Sequence, residues 1–173
     1  MTNFDGDCVG GLLNRQPERL VVRGFRNCMA GYDHSDIDCW ENTLQLYIVE
    51  LGSKSVCHLI GEQLFWVRSV RQNTQRSLSY YPQYCQHLSF DECMALSAIA
   101  AAQSSDEETG HLALNHLLGC NDFQVIENGW SAAQGFAAAL SQWSLPLLAV
   151  SVRVVESIST MHQHSANTSQ TLN

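Results

Sequence analysis

The sequence predicts an all-α protein, an irregular bundle of about six helices built from antiparallel helix hairpins, with a disordered C-terminal tail. Apolar side chains recur at intervals of three and four along most of the chain, which is the period of a helix with one buried face. Ser or Asp stands before several of these segments and Gly follows several, as helix caps require. One late segment is rich in β-branched residues, but no second strand is available to pair with it.

The first half is predicted to contain three helices. The pattern predicts a helix over residues 18–30, and Gly31 is expected to end it. Ser35-Asp36-Ile37-Asp38 has the shape of a capping box at the start of a second helix over residues 36–51. A third helix over residues 53–74 follows after a very short link. Such a link predicts that the second and third helices pack as antiparallel neighbours.

The second half begins with an irregular segment and then returns to the helical period. Residues 75–88 lose the apolar pattern, and Ser89-Phe90-Asp91-Glu92 forms a second capping box after them. Pro146 must break the helical pattern. Residues 147–155 could then form a strand or a final helix, and a helix is favoured. The helices predicted here cover residues 90–103, 105–118 and 122–140.

The chain is predicted to form one domain. Its 173 residues suffice for a hydrophobic core without disulfides or metal. We expect a flexible N-terminal segment over residues 1–14, because glycines stand there among polar residues. A single helical domain should cover residues 15–156. The composition of residues 157–173 is mainly polar, so we expect this tail to be disordered.

Charge is sparse and unevenly distributed. Charged residues make up 15% of the chain and the net charge is −8. Eight of the nine cations lie in residues 1–80, whereas residues 81–173 carry Arg153 against eight acids. An acidic surface repels phosphate, so nucleic acid and membrane surfaces are not expected partners. The chain shows no secretory leader pattern and no apolar run of roughly 20 residues, so we expect a cytoplasmic protein.

An interaction surface is predicted where aromatic and basic residues interleave. Exposed Trp, Tyr and Arg side chains are typical anchors of protein interfaces. We therefore expect a non-enzymatic regulator or accessory protein that recognises another protein or its own copy, with a homo-oligomer as one outcome and no cofactor. The predicted interface residues are Phe65, Trp66, Arg68, Arg71, Tyr80, Tyr81 and Tyr84.

The alternative function is a sensor that binds zinc or an iron–sulfur cluster. Cys85, His87 and Cys93 lie within nine positions just before and inside a predicted helix. Structural zinc is nearly always four-coordinate, so a further ligand must come from elsewhere in the fold. A thiol switch at Cys85 or Cys93 is a related possibility, although Cys93 also fits a small core position. Candidates for the missing ligand are Cys57 with His58, or His116 with Cys120.

An enzyme is the least favoured function, because the sequence contains none of the common catalytic motifs. Glu108 and His111 have the three-residue spacing with which di-iron helices present a carboxylate and an imidazole, but no second such pair exists. His58 and Glu62 share a helix face one turn apart. A catalytic site would have to gather these four residues.

Overall fold

The computed structural model describes residues 11–52 and 55–170, with side chains described as far as Asn167. All regular structure in this part of the chain is helical, so the all-α prediction is confirmed. Residues 1–10 of the expected flexible segment lie outside the described residues, and Leu13 is buried in the core. The helices are α1 (Gln16–His34), α2 (Ile37–Leu51), α3 (Cys57–Asn73), α4 (Phe90–Ser104), α5 (Glu107–Leu118), α6 (Phe123–Gln142) and α7 (Val152–Gln170).

Four helix ends follow the predicted capping chemistry. Ser89 and Glu92 form the reciprocal capping box at the start of α4, which satisfies two backbone N–H groups that have no partner within the helix. Gly52 and Gly119 end α2 and α5 with φ of 63° and 68°, a conformation that costs glycine least. Asp122 caps α6 by accepting a hydrogen bond from Val125 N.

Two predicted features of the α1–α2 link are wrong. Gly31 does not end α1, because the helix continues to His34 and Ser35 takes the left-handed position with φ of 52°. A Cβ at Gly31 would lie 3.0 Å from the Trp40 ring, so this glycine allows α1 and α2 to approach closely. The cap of α2 is Asp36, whose carboxylate accepts a hydrogen bond from Asp38 N at 2.9 Å.

Helix α4 is the central element of the bundle. It packs on α1, α5, α6 and α7, and every residue from Met94 to Ala101 is buried. Four of these eight residues are alanine, and such small side chains let several helices surround one. The α4–α5 pair, joined by a short turn at Ser105-Asp106, makes the most extensive contact in the bundle.

The predicted pairing of the second and third helices is only a minor contact. Helix α2 packs chiefly on α1, and α3 packs chiefly on α6. A buried polar group joins all three: Tyr47 donates to Gln63 Oε1 at 2.7 Å, and Gln63 Nε2 donates to Val21 O at 2.9 Å. Each polar atom named here has a partner, which is the condition for burying such groups without a large cost.

The C-terminal region consists of an irregular segment followed by the last helix. After Pro146 the chain stays irregular to Ser151, and Gln103 accepts from Leu147 N at 2.8 Å while donating to Leu145 O at 3.0 Å. Helix α7 then covers most of the region where we expected disorder. Its buried Val155 packs in the core and Ile158 packs against it, so the first turns of α7 are held by tertiary contacts. Residues 161–167 of the same helix are exposed. Within the described residues, none of the helices combines the length and apolar character needed to span a membrane.

Candidate interaction surface

The irregular segment between α3 and α4 is held by one buried arginine of α1. Arg26 is 1% exposed, and its Nε donates to Glu92 Oε1 at 2.6 Å. A guanidinium has five N–H donors in a fixed plane, so one buried side chain can bind several acceptors at once. It donates to four backbone carbonyls of the segment, those of Pro82, Gln83, Cys85 and His87, at 2.5–3.3 Å.

Glu92 completes this anchor from the first turn of α4. In addition to Arg26, its carboxylate accepts from Tyr81 N at 3.1 Å and from Ser89 N at 2.8 Å. The buried charge pair is therefore surrounded by hydrogen bonds, which offset the cost of removing both charges from water.

A second ion pair fixes the start of the same segment. Arg76 pairs with Asp91, which is 1% exposed. Asp91 Oδ2 also accepts from Ser79 N at 2.6 Å. The start of residues 76–87 is thus bound to Asp91 of α4, and its end is bound to Arg26 of α1. We call this segment the 76–87 loop; it has a defined conformation without regular secondary structure.

The 76–87 loop presents aromatic side chains to solvent. Tyr84 is 71% exposed, and the Arg23 guanidinium lies over its ring at 5.3 Å from the centroid. Beside it on α2 is Val49, which is 77% exposed. Both side chains line a groove of about 270 Å³. The Tyr84 surface, as used below, consists of Arg23, Leu46, Val49, Gln83 and Tyr84.

The structure divides the predicted interface residues into four groups. Trp66 is 1% exposed and belongs to the core. Arg71 and Tyr80 are both bound to Asp33, at 2.5 Å and 2.7 Å. Phe65 and Arg68 are exposed beside a different groove, which residues of α6 complete.

Tyr84 and Tyr81, which are both exposed, form the fourth group. Tyr81 is 41% exposed. Val49 and Arg23 were not among the predicted interface residues, although Val49 lies next to Ile48 and outside the apolar stripe of α2. An apolar residue outside the stripe is the sequence feature that could have identified it.

The structure does not bring Cys85, His87 and Cys93 together as ligands. They are not among the described residues whose ligand atoms lie within 4.8 Å of one another. Cys85 and His87 contribute their carbonyls to Arg26. Cys93 borders an apolar cavity of about 250 Å³ between α4 and α7, and burial raises the pKa of its thiol to about 12. A thiol with a raised pKa is a poor metal ligand and a poor nucleophile.

The other candidate ligands are also apart from this trio. Cys57 and His58 are exposed at the start of α3. His116 lies against Phe90, with its Nδ1 3.5 Å from Ser159 Oγ of α7. Neither pair is grouped with Cys85, His87 or Cys93 in the described part of the chain.

The residues considered for an enzyme lie in separate places. His58 and Glu62 are near each other on α3, with Nδ1 and Oε1 4.0 Å apart, and Glu62 lies against Gly135 of α6. His111 instead contacts Glu127 of α6, with Nε2 and Oε1 3.0 Å apart. Eight residues of helix separate Glu127 from Gly135, which corresponds to about 12 Å. His58 and Glu62 therefore do not form one cluster with His111.

A different group of potential ligands does converge. Glu107, His111 and Glu127 each place one ligand atom within 4.8 Å of the others. Sequence analysis paired His111 with Glu108, three residues earlier, instead of Glu107, four residues earlier. Both spacings are compatible with one helix face, so the choice required coordinates.

Comparison with known proteins adds no relatives. No family model matches the chain, and neither a curated protein nor a solved structure matches it.

Proposed function

We propose that this protein is a non-enzymatic regulator or accessory factor that binds another protein through the Tyr84 surface. The observation that carries the proposal is the pair of solvent-facing side chains Tyr84 and Val49, which are 71% and 77% exposed and line the same groove. Tyr is enriched among the residues that dominate binding energy at protein interfaces. The proposal includes the cytoplasmic location expected from the sequence.

The anchoring of the 76–87 loop supports this function. Ordering a side chain on binding costs about 0.5–1.5 kcal/mol, and ordering a loop adds to that cost. Here the buried Arg26 holds the loop through four carbonyls, and Arg23 covers one face of the Tyr84 ring. The free protein therefore already holds Tyr84 in a fixed position, which lowers the cost of ordering it when a partner binds.

Charges at the groove indicate the chemistry of the partner. Glu50, at the edge of the groove, receives two hydrogen bonds from Arg19, at 2.9 Å and 2.8 Å. Arg23 has no ion pair among the described side chains. We therefore propose a partner segment that places an apolar side chain between Val49 and Tyr84 and a carboxylate near Arg23.

The same charge distribution argues against nucleic acid and membrane partners. Phosphate binding requires a patch of unpaired Lys and Arg side chains. The arginines that form ion pairs within this fold are Arg15, Arg19, Arg26, Arg71 and Arg76. A zinc or iron–sulfur sensor at Cys85, His87 and Cys93 is the less favoured function, since their ligand atoms do not meet.

A photo-crosslinking experiment tests the proposal. A photoreactive phenylalanine analogue is placed at position 84, and in a second strain at Phe123, which is also 71% exposed. A partner is identified by mass spectrometry, purified and titrated against the wild-type protein and single variants. We expect Tyr84→Ala and Val49→Ser to weaken binding, Tyr84→Ala by about 2 kcal/mol or roughly 30-fold. Phe123→Ser is the control for loss of an exposed apolar side chain and should leave the affinity unchanged.

Two results would contradict the proposal. One is a partner that crosslinks equally from positions 84 and 123. The other is a purified partner whose affinity is the same for the wild type and Tyr84→Ala. If the crosslinked partner is a second copy of this chain, light scattering should show a dimer that Tyr84→Ala dissociates.

A further inference from the structure

Three potential metal ligands converge where the start of α5 meets α6. Glu107 is the first residue of α5, and His111 lies one turn later on the same face. Glu127 reaches them from α6. The His111 Nε2 atom is 3.9 Å from Glu107 Oε1 and 3.0 Å from Glu127 Oε1. All three ligand atoms lie within 4.8 Å of one another.

These separations fit donor atoms that share one ion. Zinc binds nitrogen and carboxylate oxygen at about 2.0–2.2 Å, so two donors on a tetrahedral ion lie roughly 3.3 Å apart. The observed distances of 3.0 Å and 3.9 Å fall on either side of that value. Small rotations of the Glu107 side chain, which is 70% exposed, would bring the third donor to the same separation.

The imidazole nitrogen supplies a second, independent observation. Nε2 of His111 is buried and has no hydrogen-bond partner among the described residues, although Glu127 Oε1 is 3.0 Å away. The oxygen lies off the direction of the ring N–H bond, so the two atoms are close without being hydrogen bonded. Adjacent ligands of one ion have this arrangement, because each points at the metal. An unsatisfied buried polar atom is otherwise costly.

The surroundings hold the imidazole and favour a cation. The His111 ring packs edge-to-face on Trp130, with centroids 5.5 Å apart, which restricts its rotation. Among the described side chains, Glu107 and Glu127 have His111 as their ion-pair partner and no Lys or Arg. Asp106 and Glu108 flank Glu107 in the sequence, so acidic side chains predominate at this end of α5.

We propose that Glu107, His111 and Glu127 bind one divalent transition-metal ion, of the zinc, iron or manganese type. An imidazole with two carboxylates suits these ions, whereas calcium and magnesium prefer oxygen ligands throughout. The ion would join the first turn of α5 to α6, and the exposed side of Glu107 leaves room for water as a remaining ligand. None of these residues belongs to the Tyr84 surface.

Zinc binding to the full chain tests the site. Isothermal titration with ZnCl₂, on protein purified without an affinity tag and treated with chelator, is compared for the wild type and three variants. We expect the wild type to bind a single zinc ion. His111→Gln and Glu127→Gln should each weaken zinc binding by about ten-fold or more. Mutation of residues that only hydrogen-bond to a metal ligand already lowers metal affinity by about that factor. Glu108→Gln is the matched control, because it removes a carboxylate from the same turn of α5 outside the cluster.

Spectroscopy with cobalt distinguishes this site from the thiols. Cobalt bound at the proposed site should show weak visible bands without a strong thiolate charge-transfer band, and His111→Gln should abolish them. Circular dichroism checks that His111→Gln is folded, and Glu127→Gln provides the same test without touching the Trp130 contact. Zinc affinity unchanged in both variants, or no measurable zinc binding by the wild type, would overturn the proposal.

Discussion

Replacing Arg26 by Met should destabilise the protein more than any surface substitution. Arg26 and Glu92 are 1% and 0% exposed in their side chains. Arg26→Met leaves Glu92 buried without its counter-charge and removes the donor from four carbonyls. Breaking a buried ion pair in this way costs about 3–5 kcal/mol. We expect a value in the upper half of that range, because the loop carbonyls also lose their partner.

The double variant separates the two contributions. In Arg26→Met/Glu92→Gln the unpaired charge is gone, and Gln can still accept the capping bond from Ser89 N. The free energy of unfolding should therefore be higher than in Arg26→Met alone. Arg68→Met is the control, because Arg68 is exposed and has no ion pair among the described residues. Its effect should stay within about 0.5 kcal/mol.

Urea unfolding measures these free energies, and hydrogen exchange measures the loop. In Arg26→Met the amides of Tyr81 and of residues 83–87 should exchange much faster than in the wild type. A loss below about 1 kcal/mol, well under the cost of breaking a buried pair, would refute the anchoring role. Unchanged exchange in the 76–87 loop would refute it as well.

Three further predictions concern packing, pH and the last helix. Gly110→Ala should destabilise by about 1–3 kcal/mol, because the new methyl would overlap the rigid Trp130 ring. Gly61→Ala, where the methyl meets nothing within 4 Å, should stabilise α3 by roughly 0.5–1 kcal/mol. Burial, and then a nearby arginine charge, lower the pKa of His116, so the folded state favours the neutral imidazole. The contribution of neutral His116 to the free energy of unfolding is complete above the unfolded pKa of about 6.5 and is lost as pH falls below that value. Between neutral pH and pH about 5, the His116→Asn variant should therefore lose less stability than the wild type. Truncation after Ser151 removes buried side chains of α7 and should cost about 2 kcal/mol or more.

Unfolding experiments test these three predictions. Thermal and urea unfolding of the glycine variants would contradict the packing argument if both alanines had the same effect. Unfolding free energies across the pH range would contradict the histidine argument if His116→Asn followed the wild type. A chain ending at Ser151 with an unchanged melting temperature would show that α7 does not contribute to the core.

The sequence predicted those features that depend on neighbours along the chain. The capping box at Ser89 needs residues three apart, and the end of α5 needs one glycine at Gly119, so both could be located without coordinates. The irregular character of residues 75–88 followed from the lost apolar period. These features are local, and local patterns are visible in the sequence.

The errors arose where a distant contact decided the outcome. Gly31 has the residue type of a helix end, but Trp40 packs against it and α1 continues. Trp66 and Arg71 belong to a promising basic and aromatic stretch, yet one is in the core and the other is bound to Asp33. Composition alone could not show that Val155 and Ser159 of α7 reach the core.

The most direct test of the proposed function is hydrogen exchange of the protein with and without its purified partner. We predict that binding slows exchange at residues 82–86 of the 76–87 loop and at residues 42–50 of α2, the backbone that carries Tyr84 and Val49. Exchange in α5 and α6 should not change. Slowed exchange confined to α5 and α6, with the 76–87 loop unaffected, would contradict the account.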